Sequence, residues 1–217
     1  ANGDLYYTDS SVDFQVHQTA MAFLANPSGR LVYLQRGTKK PKVLLENLWF
    51  ANGVALSPEE DFLVVSDQNR NTLIKYWLKT EKEGTSEVLA DRLPGSVDNI
   101  TPDAKGFWAA LAVTSDADHP NIFQSMAPLS YVRKFLARIL SLVEMLFRKI
   151  DHFYPNNFSK NIVARAQALP TYPFLTNNRA TVLRFDWNGN ILAAYHSFDN
   201  SIYTHVLESN GKLYLGS

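Results

Sequence analysis

Three polar residues at matching corners of a repeated sequence offer the clearest chemistry in this chain: Asn52, Asp98 and Asn99. One carboxylate beside two amides supplies oxygen donors only, a set suited to a hard cation such as calcium and poorly suited to zinc or iron. Three ligands fall short of the roughly six to eight oxygens calcium takes, so water, substrate and other strands would supply the rest. The same residue types also build turns, because short amide and carboxylate side chains bond back to their own backbone. Residues alone leave both roles open. His205 falls in Tyr203-Thr204-His205, a strand expected to face the same place. A histidine there would orient or deprotonate an attacking water, or simply pack. His17, His119, His152 and His196 are scattered, and no Gly-x-Ser-x-Gly elbow occurs, so no nucleophilic triad can be assembled. Of two glycosylation sequons, Asn99-Ile-Thr101 is incompatible with a channel-facing asparagine, which leaves Asn157-Phe-Ser159 and Asn157 as the acceptor.

The elements that must position these residues repeat. Lys42-Val-Leu-Leu-Glu-Asn-Leu48 reappears as Glu87-Val-Leu-Ala-Asp-Arg-Leu93. Each copy then passes through a polar corner, Ala51-Asn52-Gly53 or Val97-Asp98-Asn99, into a turn, Ser57-Pro58-Glu59 or Thr101-Pro102-Asp103. An apolar run follows, Phe62-Leu-Val-Val65 or Phe107-Trp-Ala-Ala110. A period in the forties, built of short strands and tight turns, marks the blade of a β-propeller, whose blades meet around a central channel. One four-strand unit is expected over 53–57, 62–66, 72–79 and 86–90, and another begins at 98–101 and 106–113. Residues 1–9 match the strand ending at Asp67, and 30–34 with 42–46 form a hairpin. A third unit is expected from Thr181–Phe185, the Asn188-Gly189 turn and 191–196, and a last one from 202–207 and 212–217. The strand pattern is already running at residue 3 and still running at 217, so the expectation is an incomplete propeller domain over 1–217. Its N-terminal blades, and any signal-anchor, would lie upstream.

Between about 114 and 180 the β rhythm stops. Val132, Phe135, Leu136, Ile139, Leu140, Val143, Leu146, Phe147 and Ile150 recur at helical spacing, with Arg133, Lys134, Arg138, Arg148 and Lys149 expected on the wet flank. Pro155, Pro170 and Pro173 then break the chain. This helical insert is expected to pack on the propeller rim as a lid, or to lie on a membrane through the 131–150 helix. The 217 residues contain 21 Lys plus Arg, 21 Asp plus Glu and no cysteine. Charge balance gives no sign of a nucleic-acid partner, and without cysteine there is no disulfide.

Phe50-Ala-Asn-Gly-Val-Ala-Leu-Ser-Pro58, Gly95-Ser-Val-Asp-Asn-Ile-Thr-Pro102 and Glu208-Ser-Asn-Gly-Lys-Leu-Tyr-Leu-Gly-Ser217 together make the chain resemble the strictosidine synthase-like family, its animal branch in particular. The resemblance implies an all-β, six-bladed β-propeller with a helical insert, of which this chain holds roughly the last two thirds. It also implies that Asn52, Asp98 and Asn99 match the calcium ligands of related lactonases, and that Tyr203 and Thr204 line the substrate channel. True strictosidine synthases carry an acid/base glutamate on the innermost strand of the last blade. The matching residue here is Thr204, whose hydroxyl does not ionise usefully near neutral pH, so alkaloid condensation is not expected. The implied activity is calcium-dependent hydrolysis, of arylesterase or lactonase type, of a small-molecule ester or lactone. The competing class is a non-enzymatic surface glycoprotein whose propeller only binds. Either way the resemblance implies a membrane-anchored lumenal or extracellular propeller, or a secreted one.

Overall fold

Apolar runs with period-two alternation become strands buried on both faces. Phe62–Asp67 shows the rule: Leu63 and Val65 face one neighbouring sheet, Phe62 and Val64 the other. The computed structural model describes residues 3–167, 179–199 and 202–216. Their strands are β1 (Leu5–Asp9), β2 (Gly29–Leu34), β3 (Lys42–Leu48), β4 (Ala51–Leu56), β5 (Phe62–Asp67), β6 (Thr72–Trp77) and β7 (Ser86–Ala90). After these come β8 (Gly95–Asp103), β9 (Gly106–Thr114), β10 (Ala180–Asp186), β11 (Ile191–Ser197), β12 (His205–Ser209) and β13 (Lys212–Gly216). They form four antiparallel sheets among the described residues: β1-β2-β3, β4-β5-β6-β7, β8-β9-β10-β11 and β12-β13.

Three apolar layers join these sheets face to face in series. Leu31, Leu48, Leu63, Val65 and Tyr76 fill the first layer, and Val64, Phe107, Leu111, Leu183 and Phe185 the second. The third holds Trp108, Ala110, Val182, Tyr203 and Val206. Burying each large side chain contributes about 1.5–3 kcal/mol, so the stack is held chiefly by these layers. β4 runs beside β8, and β8 beside β12, bringing the leading strands of successive sheets together. Hydroxyls at equivalent places stitch the sheets further: Thr8 Oγ1 donates to the carbonyl of Asn52 (2.5 Å) and Ser66 Oγ to that of Val97 (2.6 Å). This equivalence agrees with reading residues 1–9 as the counterpart of the strand ending at Asp67.

Two expectations change. Residues 180–197 do not open a third unit; β10 pairs with β9 and completes the sheet that β8 began. The helical insert therefore lies inside one sheet, between its second and third strands. It contains α2 (Ile122–Ser125), α3 (Ser130–Phe153) and α4 (Asn157–Gln167), preceded far upstream by a short helix, α1 (Thr19–Leu24). Pro170 and Pro173 lie outside the described residues. Secondly, Arg133 is buried instead of wet. Its Nη1 donates to the carbonyls of Leu24 (2.8 Å) and Ala25 (2.7 Å), and its guanidinium lies 4.7 Å from the Trp49 ring centroid. The charge caps the C-terminal end of α1, where free carbonyls concentrate partial negative charge. Leu136, Ala137 and Leu140 pack beside it on Phe23, Leu24 and Phe123, seating α3 on the rim.

Candidate functional site

A strand can aim two consecutive side chains to one side only if its register slips, and both polar corners sit on such a slip. In β4, Ala51 pairs with Asp67 and Val54 with Val65, so Asn52 and Gly53 together oppose one residue of β5. In β8, Val97 pairs with Leu111 and Ile100 with Ala109, so Asp98 and Asn99 oppose one residue of β9. Each is a β-bulge, the device that re-aims side chains at the end of a sheet. Gly53 makes the approach of the two bulges possible. A Cβ there would lie 2.5 Å from the Asp98 carbonyl and 2.7 Å from the Ile100 nitrogen.

The bulges bring the predicted residues together. Asn52 Nδ2 donates to Asp98 Oδ1 at 2.5 Å and to Gln68 Oε1 at 2.8 Å. Asn99 Nδ2 reaches Asp98 Oδ1 at 3.4 Å but donates mainly to the backbone carbonyl of Thr204, at 2.8 Å. Asn99 thus clips β8 to the strand beside it, while Asn52, Gln68, Asp98 and Thr204 line a cavity of about 200 Å³. The apolar wall of the cavity comes from Phe23 of α1, Phe123 of α2, and Phe50, with Ala112, Val113 and Ile202. The three rings pack together, Phe23 lying 4.8 Å from Phe50 and 5.4 Å from Phe123 between centroids. Phe50 adopts φ +64°, a left-handed conformation costly for a bulky residue, and such strain gathers where side chains must be aimed.

Electrostatically, Asp98 is the feature of the cavity. Loss of hydration raises its carboxyl from 3.8 to about 6, and the Asn52 hydrogen bond opposes that rise only in part. No lysine, arginine or histidine pairs with it among the described residues. A carboxylate placed this way, near amide groups and away from cationic side chains, is poised to bind a cation or to carry a proton near neutral pH.

The other predicted residues separate. Thr204 lines the cavity, whereas Tyr203 turns into the third apolar layer with Trp108 and Val206. His205 is exposed and is not among the residues that line the cavity; it opens β12, one residue after Thr204. No histidine lines the cavity among the described residues: His119 contacts Asp116 (3.1 Å) and His196 contacts Thr181 (2.8 Å). Asn157 is exposed at the start of α4. Of the cavity lining, Asn52, Asp98 and Thr204 were anticipated from sequence, whereas Gln68, Asn121 and the rings of Phe23, Phe50 and Phe123 were not. The polar run Ser66-Asp67-Gln68-Asn69, directly after the apolar Phe62-Leu-Val-Val65, was the available signal for Gln68. Asn121 caps α2, its Oδ1 accepting from the nitrogens of Phe123 (3.0 Å) and Gln124 (3.2 Å), so the insert enters the cavity wall in a fixed pose. A larger groove of about 450 Å³ between α3 and α4 is lined by Arg148, Asp151, His152 and Lys160 and lies on the surface of the insert. Among the described residues, no group of three or more His, Cys, Asp or Glu side chains is placed to hold a metal ion.

Comparison with known proteins gives a consistent lineage. Residues 1–81 match the family model described as strictosidine synthase. The adipocyte plasma membrane-associated protein Hemomucin of Drosophila melanogaster is 48% identical over 99% of this chain and 38% of its own length. Strictosidine synthase-like protein 6 of Arabidopsis thaliana is 33% identical over 100% of this chain and 49% of its own length. The adipocyte plasma membrane-associated protein of Mus musculus is 30% identical over 98% and 46%. The chain therefore spans less than half the length of these relatives. Among solved structures, a calcium-binding regucalcin of Agrobacterium tumefaciens is similar with a TM-score of 0.39 and 20% identity, over 51% of this chain and 35% of that one. A luciferin-regenerating enzyme gives 0.40 and 20%, over 50% and 36%.

Proposed function

Because this chain belongs to the strictosidine synthase-like family, we propose that its bulged strands form part of the channel of a six-bladed propeller that hydrolyses small esters or lactones. The observation that carries this reading is Asp98: a desolvated carboxylate, without a cationic side chain, at the floor of an aromatic-walled cavity. The donor set suits a calcium-type ion, since Asn52, Asp98 and Asn99 offer only oxygen among their possible ligand atoms. Turning the Asn52 amide over exchanges its nitrogen for its oxygen beside Asp98, a rearrangement that leaves the backbone untouched. A hard cation held there would act as a Lewis acid, polarising a substrate carbonyl and stabilising the developing oxyanion.

The chain's own residues then divide the remaining work. Phe23, Phe50 and Phe123 hold the apolar part of the substrate and keep bulk water out, which strengthens every polar contact below them. Asp98 stays ionised above about pH 6 and supplies the negative charge of the floor. Thr204, held beside β8 by Asn99, offers a hydroxyl that donates or accepts a hydrogen bond but does not shuttle a proton near neutral pH. A condensation needing an acid/base glutamate at that place is accordingly excluded from the proposal. His205, exposed on β12, has no part in it, and Asp98 is the residue left to accept a proton from attacking water.

The second reading is a binding propeller with no turnover, favoured by the engagement of Asn99 Nδ2 with the Thr204 carbonyl in place of the cavity. In either case the protein would be membrane-associated and lumenal or extracellular, with Asn157 as a glycan acceptor. The discriminating experiment is hydrolysis of phenyl acetate by the intact protein, with and without a calcium chelator. Activity lost on chelation and restored by calcium supports the hydrolase. Chelator-insensitive activity removes the metal from the account, and absent activity leaves the binding propeller.

A further inference from the structure

α3 carries two apolar faces, and only one of them is used by the fold. Leu136, Ala137 and Leu140 pack on α1 and the rim of the cavity. On a helix of 3.6 residues per turn, Tyr131, Phe135, Ile139, Leu142, Leu146 and Phe153 fall within about 80° of arc on the far side. All six are exposed, Tyr131 at 87%, Phe153 at 73% and Phe135 at 62%. Single exposed apolar side chains are ordinary; a stripe about 33 Å long is an interaction surface.

Charge identifies what it fits. The chain is neutral overall, yet residues 130–167 hold seven lysines and arginines against two acidic residues. Lys134, Arg138 and Lys149 are exposed and border the stripe along one side. An apolar stripe with a basic border is the pattern of a helix lying in a membrane interface, its ring side chains in the headgroup region and its cations on anionic lipid. A second copy of the chain is a poor occupant, because pairing this face with itself brings two basic borders together. No helix among the described residues is long and apolar enough to cross a membrane, so the element would lie on the bilayer and not through it.

We propose that the outer face of α3 docks the chain on an anionic lipid membrane, holding the cavity rim beneath its inner face close to the bilayer. This does not depend on the hydrolase reading, since neither Asp98 nor Asn52 takes part. The test is flotation of the 217-residue chain with vesicles of pure phosphatidylcholine and with vesicles containing about one-fifth phosphatidylserine. Wild type should float with the anionic vesicles and bind the neutral ones at least about tenfold less. Leu142→Asp combined with Leu146→Asp should cut binding to anionic vesicles about tenfold or more, with an unchanged far-UV circular dichroism spectrum, because both side chains are exposed. Lys134→Glu combined with Lys149→Glu should abolish the preference for anionic vesicles. Wild type remaining in the soluble fraction with both vesicles overturns the proposal, as does flotation of the double aspartate variant at wild-type level. A wild-type dimer in sedimentation that the aspartates dissolve, without vesicle binding, would instead assign the face to a second copy.

Discussion

Replacing Asp98 by asparagine separates what the carboxylate contributes to function from what it costs the fold. Burial raises the carboxyl from 3.8 to about 6, so the folded protein holds this proton more tightly than the unfolded chain does. With a raised folded-state value, the group favours folding below about pH 4, and that contribution is lost as the pH rises through about 6. A shift of about two units corresponds to about 3 kcal/mol. Because the side chain borders the cavity and is partly hydrated, about 2 kcal/mol is the appropriate figure. Asparagine keeps the shape and an oxygen to accept from Asn52 Nδ2. Asp98→Asn should therefore stabilise the calcium-free protein by about 2 kcal/mol near pH 8, raising its melting temperature by about 4–8 °C. Near pH 4 the two proteins should melt together, to within about 1 °C. Calcium should reverse the order at pH 8, because an ion that binds only the wild-type native state stabilises that protein alone. Thermal melts at the two pH values, with chelator and then with calcium, give the comparison. If Asp98→Asn lowers the melting temperature at both pH values, the carboxylate is a structural acceptor and the argument that its charge is held for a cation fails.

Gly53→Ala should cost about 1–3 kcal/mol, since the new Cβ meets the Asp98 carbonyl and must force β4 from β8. The same variant loses the Asn52 donor, so the Asp98 carboxyl should titrate higher, which carboxyl-carbon NMR would show. Arg133→Leu leaves the carbonyls of Leu24 and Ala25 without their buried donor and should lower the melting temperature by about 4–12 °C, for a loss of about 2–3 kcal/mol. Lys at that position should recover only part of it, because the flat guanidinium also covers the Trp49 ring. Mixing the wild-type protein with tryptamine and an aldehyde should give no condensation product by mass spectrometry. A product would mean that Thr204 is not the counterpart of the family's glutamate.

The β architecture was legible where both faces of a strand are buried. Phe62–Val65 and Phe107–Leu111 read as strands because each residue belongs to one of two flanking apolar layers. The polar corners were legible as a repeat, and the bulges explain the repeat: each must place a polar side chain at the same end of its sheet. Membership of β10 and β11 in the sheet of β8 was hidden by the intervening insert, since sequence adjacency ordinarily implies spatial adjacency. α1 was missed because six residues are too few to show a helical period. Arg133 looked like one more cation on a basic helix, and nothing in its local sequence distinguishes a buried guanidinium that caps a distant helix. The chain enters β12 only at His205, so the strand pattern could not tell which of Tyr203, Thr204 and His205 lines the cavity; Thr204 does, and His205 is exposed.

The central claim is that Asn52, Asp98 and Asn99 hold a hard cation, and calorimetric titration of calcium into the chelator-stripped intact protein tests it most directly. The account predicts one saturable ion for wild type and an affinity at least about 100-fold weaker for Asp98→Asn, which removes the only charged ligand of the three. Equal binding by both proteins, or no binding by wild type, would contradict it.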